Sequence, residues 1–145
     1  MAAKKFAYIG GVIMLLIGLL SLIPGFEGSL TDLPLLKVNL SYGLFLSLFP
    51  MNIFNKVALI LFGLGGILIS KRDENASSIN YARTVFFTMG ALSLLGLSYS
   101  TNTLNGYWPL FGYEALAHGF FALVAGYCGF IASRVKRHSH RQMHA

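Results

Sequence analysis

Phe6-Ala7-Tyr8-Ile9-Gly10-Gly11-Val12-Ile13-Met14-Leu15-Leu16-Ile17-Gly18-Leu19-Leu20-Ser21-Leu22-Ile23 is an apolar run with no charge inside it, and Lys4 and Lys5 stand directly before it. A helix needs about 20 mainly apolar residues to cross about 30 Å of hydrocarbon, and this run meets that length. The leading lysines look like the start of a secretory signal. The apolar stretch, however, exceeds the roughly 7 to 15 residues of a signal core, and no small-x-small cleavage step follows Leu22. A retained span is expected.

Three further runs have the same character. Val57 to Ser70 is lengthened by the apolar approach Leu44 to Phe54, and Tyr81 to Tyr99 and Ala115 to Ser133 follow. Four such segments in 145 residues leave too little polar chain to cover them in water, and 11% charged residues with a mean hydropathy of +0.65 agree. The expected fold class is an all-α membrane protein with four transmembrane helices in a compact bundle. Residues 1–133 form its single domain, with spans at about 6–23, 52–70, 81–99 and 115–133, and residues 134–145 form a tail.

The eleven Lys and Arg residues set the threading. All but Lys37 and Lys56 lie before the first span, around the loop between the second and third, or after the fourth. Basic loops are retained in the cytoplasm, so both termini and the middle loop are expected there, in a bacterial inner membrane. The net charge of +6 is then a topology signal. It does not call for nucleic acid, which needs a basic face on a folded soluble domain. All four prolines, Pro24, Pro34, Pro50 and Pro109, fall in or beside the two outer loops, where a missing backbone donor matters least.

Those outer loops differ in composition. Gly25 to Leu48 carries Glu27, Asp32, Lys37 and Asn39 with turn signals at Pro24-Gly25 and Asp32-Leu33-Pro34; its end, Leu44 to Pro50, is expected to re-enter the interface or to begin the second helix early. Thr101 to Tyr113 holds Asn105-Gly106 and the rings Tyr107, Trp108, Phe111 and Tyr113, which fit an interfacial aromatic belt.

Laying the second span on the fourth with an offset of about 63 residues matches Asn55 to His118, Gly63 to Gly126, Gly66 to Gly129, Ser70 to Ser133 and Lys71 to Arg134. An offset of about 78 matches Lys5 to Arg83 and Gly18 to Gly96. Two helical hairpins of the same orientation would follow, or else small residues recur by chance. Ala115, Gly119, Ala122, Gly126, Gly129 and Ser133 alternate at helical spacing along one seam of the fourth span. Small residues let another helix approach closely, either inside the bundle, the favoured reading, or in a dimer.

Few side chains could carry chemistry. His118 lies within the fourth span with Glu114 one turn earlier on the same face, where the two could hydrogen-bond. Asn52, Asn55 and Lys56 occupy the matching depth of the second span. Polar groups inside a membrane face the bundle interior or mark a solute path. The favoured reading is a clasp pinning the second helix to the fourth within a turn or two of water; a polar lining is the alternative.

At this point the residues resemble a family. Leu48-Phe49-Pro50-Met51-Asn52-Ile53-Phe54-Asn55 running on to Leu61-Phe62-Gly63-Leu64-Gly65-Gly66, with Leu22-Ile23-Pro24-Gly25, Tyr81-Ala82-Arg83 and Glu114-Ala115-Leu116-Ala117-His118, is similar to the small four-span bacterial membrane proteins of the domain-of-unknown-function family forty-three eighty-three. The likeness covers about residues 6–131. It implies a fold and a location and supplies no activity. Where the family commonly has His-Asn after its Asn-x-x step and another His four residues beyond the first, this chain has Asn55, Lys56 and Leu59, and Glu114 stands for its Asp.

The tail is basic and histidine-rich. Arg134, Lys136, Arg137 and Arg141 suit anionic lipid headgroups, at about 1 kcal/mol per charge near the surface. Its histidines have no fixed geometry for a metal, and Cys128, alone within a span, offers no disulfide. Gly63-Leu64-Gly65-Gly66 is interior to a helix and lacks the context of a phosphate loop. No catalytic residue, metal or cofactor is expected. The expected function is a non-enzymatic structural or accessory subunit that packs against lipids and other membrane protein subunits. A small transporter or channel is the alternative, and a lipid enzyme using Glu114 and His118 is set aside for want of further positioned groups.

Overall fold

The structure is a computed structural model that describes residues 2–28 and 33–133. Four helices make up most of it: α1 (Ala2–Leu20), α2 (Ile53–Ser70), α3 (Asn75–Leu97) and α4 (Tyr113–Gly126), the last continued by a π-helical stretch over Tyr127–Ile131. Ala2–Leu20, Ile53–Ser70 and Tyr113–Ile131 are each long and apolar enough to cross a membrane. The longest helix, α3, is more mixed, since Asn75, Asn80, Arg83 and Thr84 occupy its first half. All four begin near or before the apolar limits expected from sequence, because helical hydrogen bonding continues into the polar flanks.

Helices α1 and α2 run antiparallel with their backbones almost touching. A Cβ on Gly11 would stand 2.8 Å from the Gly63 carbonyl oxygen, and one on Gly63 would stand 2.5 Å from the Leu15 nitrogen. Only hydrogen fits there. Where lipid replaces water as solvent, van der Waals contact of this kind carries much of helix association. The α3–α4 pair is also antiparallel, with Gly96 against Ala115, Ser93 against Gly119 and Phe86 against Gly126. Phe6 of α1 packs on Tyr81 of α3, ring centroids 6.4 Å apart, so the two hairpins point the same way. The buried core between them includes Ala7, Met14, Ala82, Val85, Met89 and Ala125.

The all-α expectation needs a correction. A three-stranded antiparallel sheet, β1 (Glu27–Gly28), β2 (Gly43–Phe45) and β3 (Phe49–Met51), caps the end of the bundle that holds the α1–α2 connection. Glu27 pairs with Phe45, Phe45 with Phe49 and Gly43 with Met51. The stretch Leu44 to Pro50 is therefore a β-hairpin and not an early start of α2. Pro50 explains this: it lacks the donor a helix interior needs, while edge strand β3 tolerates it. The turn places Leu46 and Ser47 at φ 53° and 58°. The hairpin also satisfies backbone groups that would otherwise go unpaired beside hydrocarbon.

Candidate functional site

The polar residues at the start of α2 and of α4 lie under this cap. Asn52 and Asn55 form a reciprocal box at the start of α2: the Asn52 side chain accepts from the Phe54 nitrogen at 3.1 Å, and Asn55 Oδ1 accepts from the Asn52 nitrogen at 3.2 Å. Their remaining donors reach the loops. Asn52 Nδ2 donates to the Val38 carbonyl at 3.2 Å and to the Tyr107 carbonyl at 2.7 Å, tying both outer connections to one side chain. Asn55 Nδ2 donates to the Pro109 carbonyl at 3.3 Å and to Glu114 Oε1 at 2.9 Å, which joins α2 to α4. The loops also bond to each other, since the nitrogens of Lys37 and Val38 donate to the Gly106 carbonyl at 2.8 and 3.2 Å. Gly106 sits at φ 88°, where a side chain would be strained.

His118 and Glu114 share a helix face without the side-chain hydrogen bond expected of them. Imidazole Nδ1 lies 2.8 Å from the Glu114 main-chain carbonyl, which can only accept, so Nδ1 carries the hydrogen. Nε2 is 3.9 Å from Glu114 Oε1, beyond hydrogen-bonding range. The i, i+4 geometry lets the ring bond the backbone more easily than the longer carboxylate.

Lys56 departs further from expectation. Its ammonium turns away from Glu114 and His118, forms an ion pair with Glu27 and donates to Ser41 Oγ at 2.7 Å. The sequence reading missed Glu27 and Ser41 as partners. A signal existed, because a lysine one turn inside a span needs an acid and only Glu27 and Asp32 were available in the first outer loop. All five are buried: Lys56 is 1% exposed, Asn52 0%, Asn55 2%, Glu114 3% and His118 7%. The sheet and the two loops roof them over.

The small-residue seam of α4 faces α3. Gly119 meets Ser93, Gly126 meets Phe86, Gly129 meets Arg83, and Ala122 lies against Gly90. Arg83, the one charge within the apolar part of α3, donates from Nε to the Gly129 carbonyl at 3.1 Å, and its guanidinium lies 5.0 Å from the centroid of the Phe130 ring. Ser133 Oγ donates to the same carbonyl at 2.9 Å. In the other hairpin, Gly63 and Gly66 make the matching approaches to α1. In the second loop Trp108 stacks on Phe54 and Tyr113 meets Phe49 edge-on, while Tyr107 and Tyr113 stay exposed. The basic residues Arg134, Lys136, Arg137 and Arg141 lie outside the described residues. Among those described, no three His, Cys, Asp or Glu side chains gather closely enough to hold a metal ion.

Residues 4–131 match the family described as Domain of unknown function (DUF4383). The chain belongs to that family. The match spans the four helices, the sheet and both outer loops, so Asn52, Asn55, Lys56, Glu114 and His118 all lie inside the family domain. Neither a curated protein nor a solved structure matches the chain.

Proposed function

We propose that the chain is a four-span protein of the bacterial inner membrane, with both termini and the α2–α3 turn cytoplasmic, serving as a structural or accessory subunit that packs against lipids and other membrane helices. The observation that carries this reading is that the amide and charged side chains at the start of α2, and the one charge within the apolar part of α3, are bonded inside the chain. The Asn52 and Asn55 amides bind loop carbonyls and Glu114, Lys56 binds Glu27, and Arg83 binds the Gly129 carbonyl. Such a set holds the bundle together. What faces outward is apolar, including Leu61 at 64%, Phe87 at 64%, Leu94 at 71% and Leu123 at 74% exposure. A surface of that kind is at home in hydrocarbon or against another helix.

The fourth span is α3. Its Arg83 is covered by α4 and the outer face of its second half presents Phe87, Leu94 and Leu97, so the more mixed composition does not expose charge to lipid. Lys4, Lys5, Lys71 and Arg72 lie at the end opposite the sheet, which favours cytoplasmic placement of that end. The tail would add contact with anionic headgroups.

Single-cysteine labelling in intact cells tests the threading: a thiol at Ser100 should react from outside, and one at Asp73 only after the membrane is opened. Extraction into native-lipid discs tests the role. The chain should migrate in a particle larger than its own mass with defined membrane protein subunits; recovery as a lone monomer would overturn the accessory reading.

A further inference from the structure

A cavity of about 270 Å³ lies below the β-hairpin, between it and all four helices. Its walls are apolar, with Met14, Met51, Met89, Phe49 and Phe121 among them, and polar groups enter only as Glu114 and His118. A space of this kind repels water over most of its surface, since a bound water needs two to four polar partners and only one patch offers any. That is far more than the roughly 10–15 Å³ a single water needs, and leaves room for a chain of several carbons. The three methionines are 0%, 3% and 4% exposed, and their unbranched thioethers adapt to varied shapes.

The polar patch is selective. His118 Nδ1 is committed to the Glu114 main-chain carbonyl, which leaves Nε2 as the ring's accepting atom, and Nε2 makes no hydrogen bond among the described residues. Glu114 Oε1 already accepts from Asn55 Nδ2, which fixes the carboxyl group in place. An open imidazole acceptor beside a carboxyl group calls for a donor from the occupant and disfavours a carboxylate or phosphate, which could only accept. Leu46 and Phe120 belong to the lining and are 51% and 66% exposed, so they mark a mouth on the apolar flank of the bundle.

We propose that this cavity is a binding site for an uncharged lipid ending in a hydroxyl group, entering past Leu46 and Phe120 and donating its hydroxyl hydrogen to His118 Nε2. The apolar body supplies affinity through burial against the methionines and phenylalanines, and the hydroxyl supplies selectivity. This goes beyond the structural role, because a packing subunit needs no ligand.

The test uses full-length protein in lipid nanodiscs with 13C-labelled methionine methyls, titrated with octan-1-ol, octane and octanoate. Octan-1-ol should shift the Met14, Met51 and Met89 resonances saturably and bind about fivefold more tightly than octane, the factor expected of one net hydrogen bond. Octanoate should bind no better than octane. In His118→Ala the octane shifts should persist and the alcohol preference vanish. In Ala117→Leu, which fills the cavity from α4, all saturable shifts should be lost while the circular dichroism stays helical. Non-saturable shifts shared by Ala117→Leu, equal binding of alcohol and alkane, or tighter binding of octanoate would each overturn the assignment.

Discussion

Replacing Glu27 with Gln removes the charge that faces Lys56 while keeping a side chain of nearly the same size. The ammonium is then left 1% exposed with Ser41 Oγ and a neutral amide for company. Breaking a buried ion pair in this way costs about 3–5 kcal/mol, because the surviving charge has lost both water and partner. The Glu27 side chain is 24% exposed, so water can reach its place and the lower end, about 3 kcal/mol, is expected. Lys56→Met should cost only about 1 kcal/mol, since the carboxylate it abandons can hydrate and the new side chain suits an apolar roof. The double variant Glu27→Gln with Lys56→Met leaves no buried charge and should also lie near about 1 kcal/mol, well short of the additive sum.

The measure is a double-mutant cycle of reversible unfolding, by steric trapping in bicelles, with a coupling of about 3 kcal/mol, near a hundredfold in the folding equilibrium. Additive single and double variants, or a Glu27→Gln cost below about 1 kcal/mol, would refute the claim that this pair fastens the sheet to α2.

Other perturbations probe other links. Gly63→Leu drives a side chain into the backbone of α1 and should destabilise the bundle by about 3 kcal/mol in the same assay, whereas Gly65→Leu, whose Cβ would meet nothing within 4 Å, should stay within about 0.5 kcal/mol of the parent. Ser47→Gly relieves a left-handed φ of 58° at an exposed turn and should stabilise the hairpin by about 0.5–1 kcal/mol, read as slower amide exchange across β2 and β3. Tyr42, in the first outer loop, donates its hydroxyl to the Pro34 carbonyl at 3.1 Å, and burial pushes its pKa from 10.0 up to about 12. The neutral phenol is thus favoured in the folded state, so this contribution is fully present below pH 10 and is lost as pH rises from 10 through about 12. Tyr42→Phe should flatten that part of the stability-against-pH curve; an unchanged curve would exclude the assignment.

Helices α1, α2 and α4 were legible because each carries an apolar run long enough to cross a membrane, a pattern that leaves little room for polar residues. The seam on α4 was legible for a related reason: Gly119, Gly126 and Gly129 recur at helical spacing whatever they touch. The sheet was not. Gly43-Leu44-Phe45 and Phe49-Pro50-Met51 are too short for period-2 alternation to emerge, and β1 contributes only Glu27 and Gly28. Their pairing depends on contacts set by the return of α2 to α1. The sequence singled out Asn52, Asn55, Lys56, Glu114 and His118, but not their wiring. Asn55 reaching Glu114 and Lys56 reaching Glu27 depend on which way two neighbouring side chains point from the first turn of α2, and helical spacing alone leaves the partners undetermined.

The wiring also bears on the internal repeat. In the two same-direction hairpins, Gly63 and Gly66 approach α1 much as Gly126 and Gly129 approach α3, so the end away from the sheet keeps nearly matched packing. At the sheet end the match fails. The first hairpin opens into a loop long enough to build a sheet, the second into one that supplies carbonyls at Tyr107 and Pro109. Asn55 and His118, matched by the repeat, consequently do different work, one fastening loop to helix and the other bordering a cavity. A symmetric pair of hairpins with two short loops would leave no roof and hence no enclosed space. The cavity is therefore a product of the asymmetry between the outer loops, and shortening residues 33–42 should abolish it while leaving the glycine contacts between the helices intact.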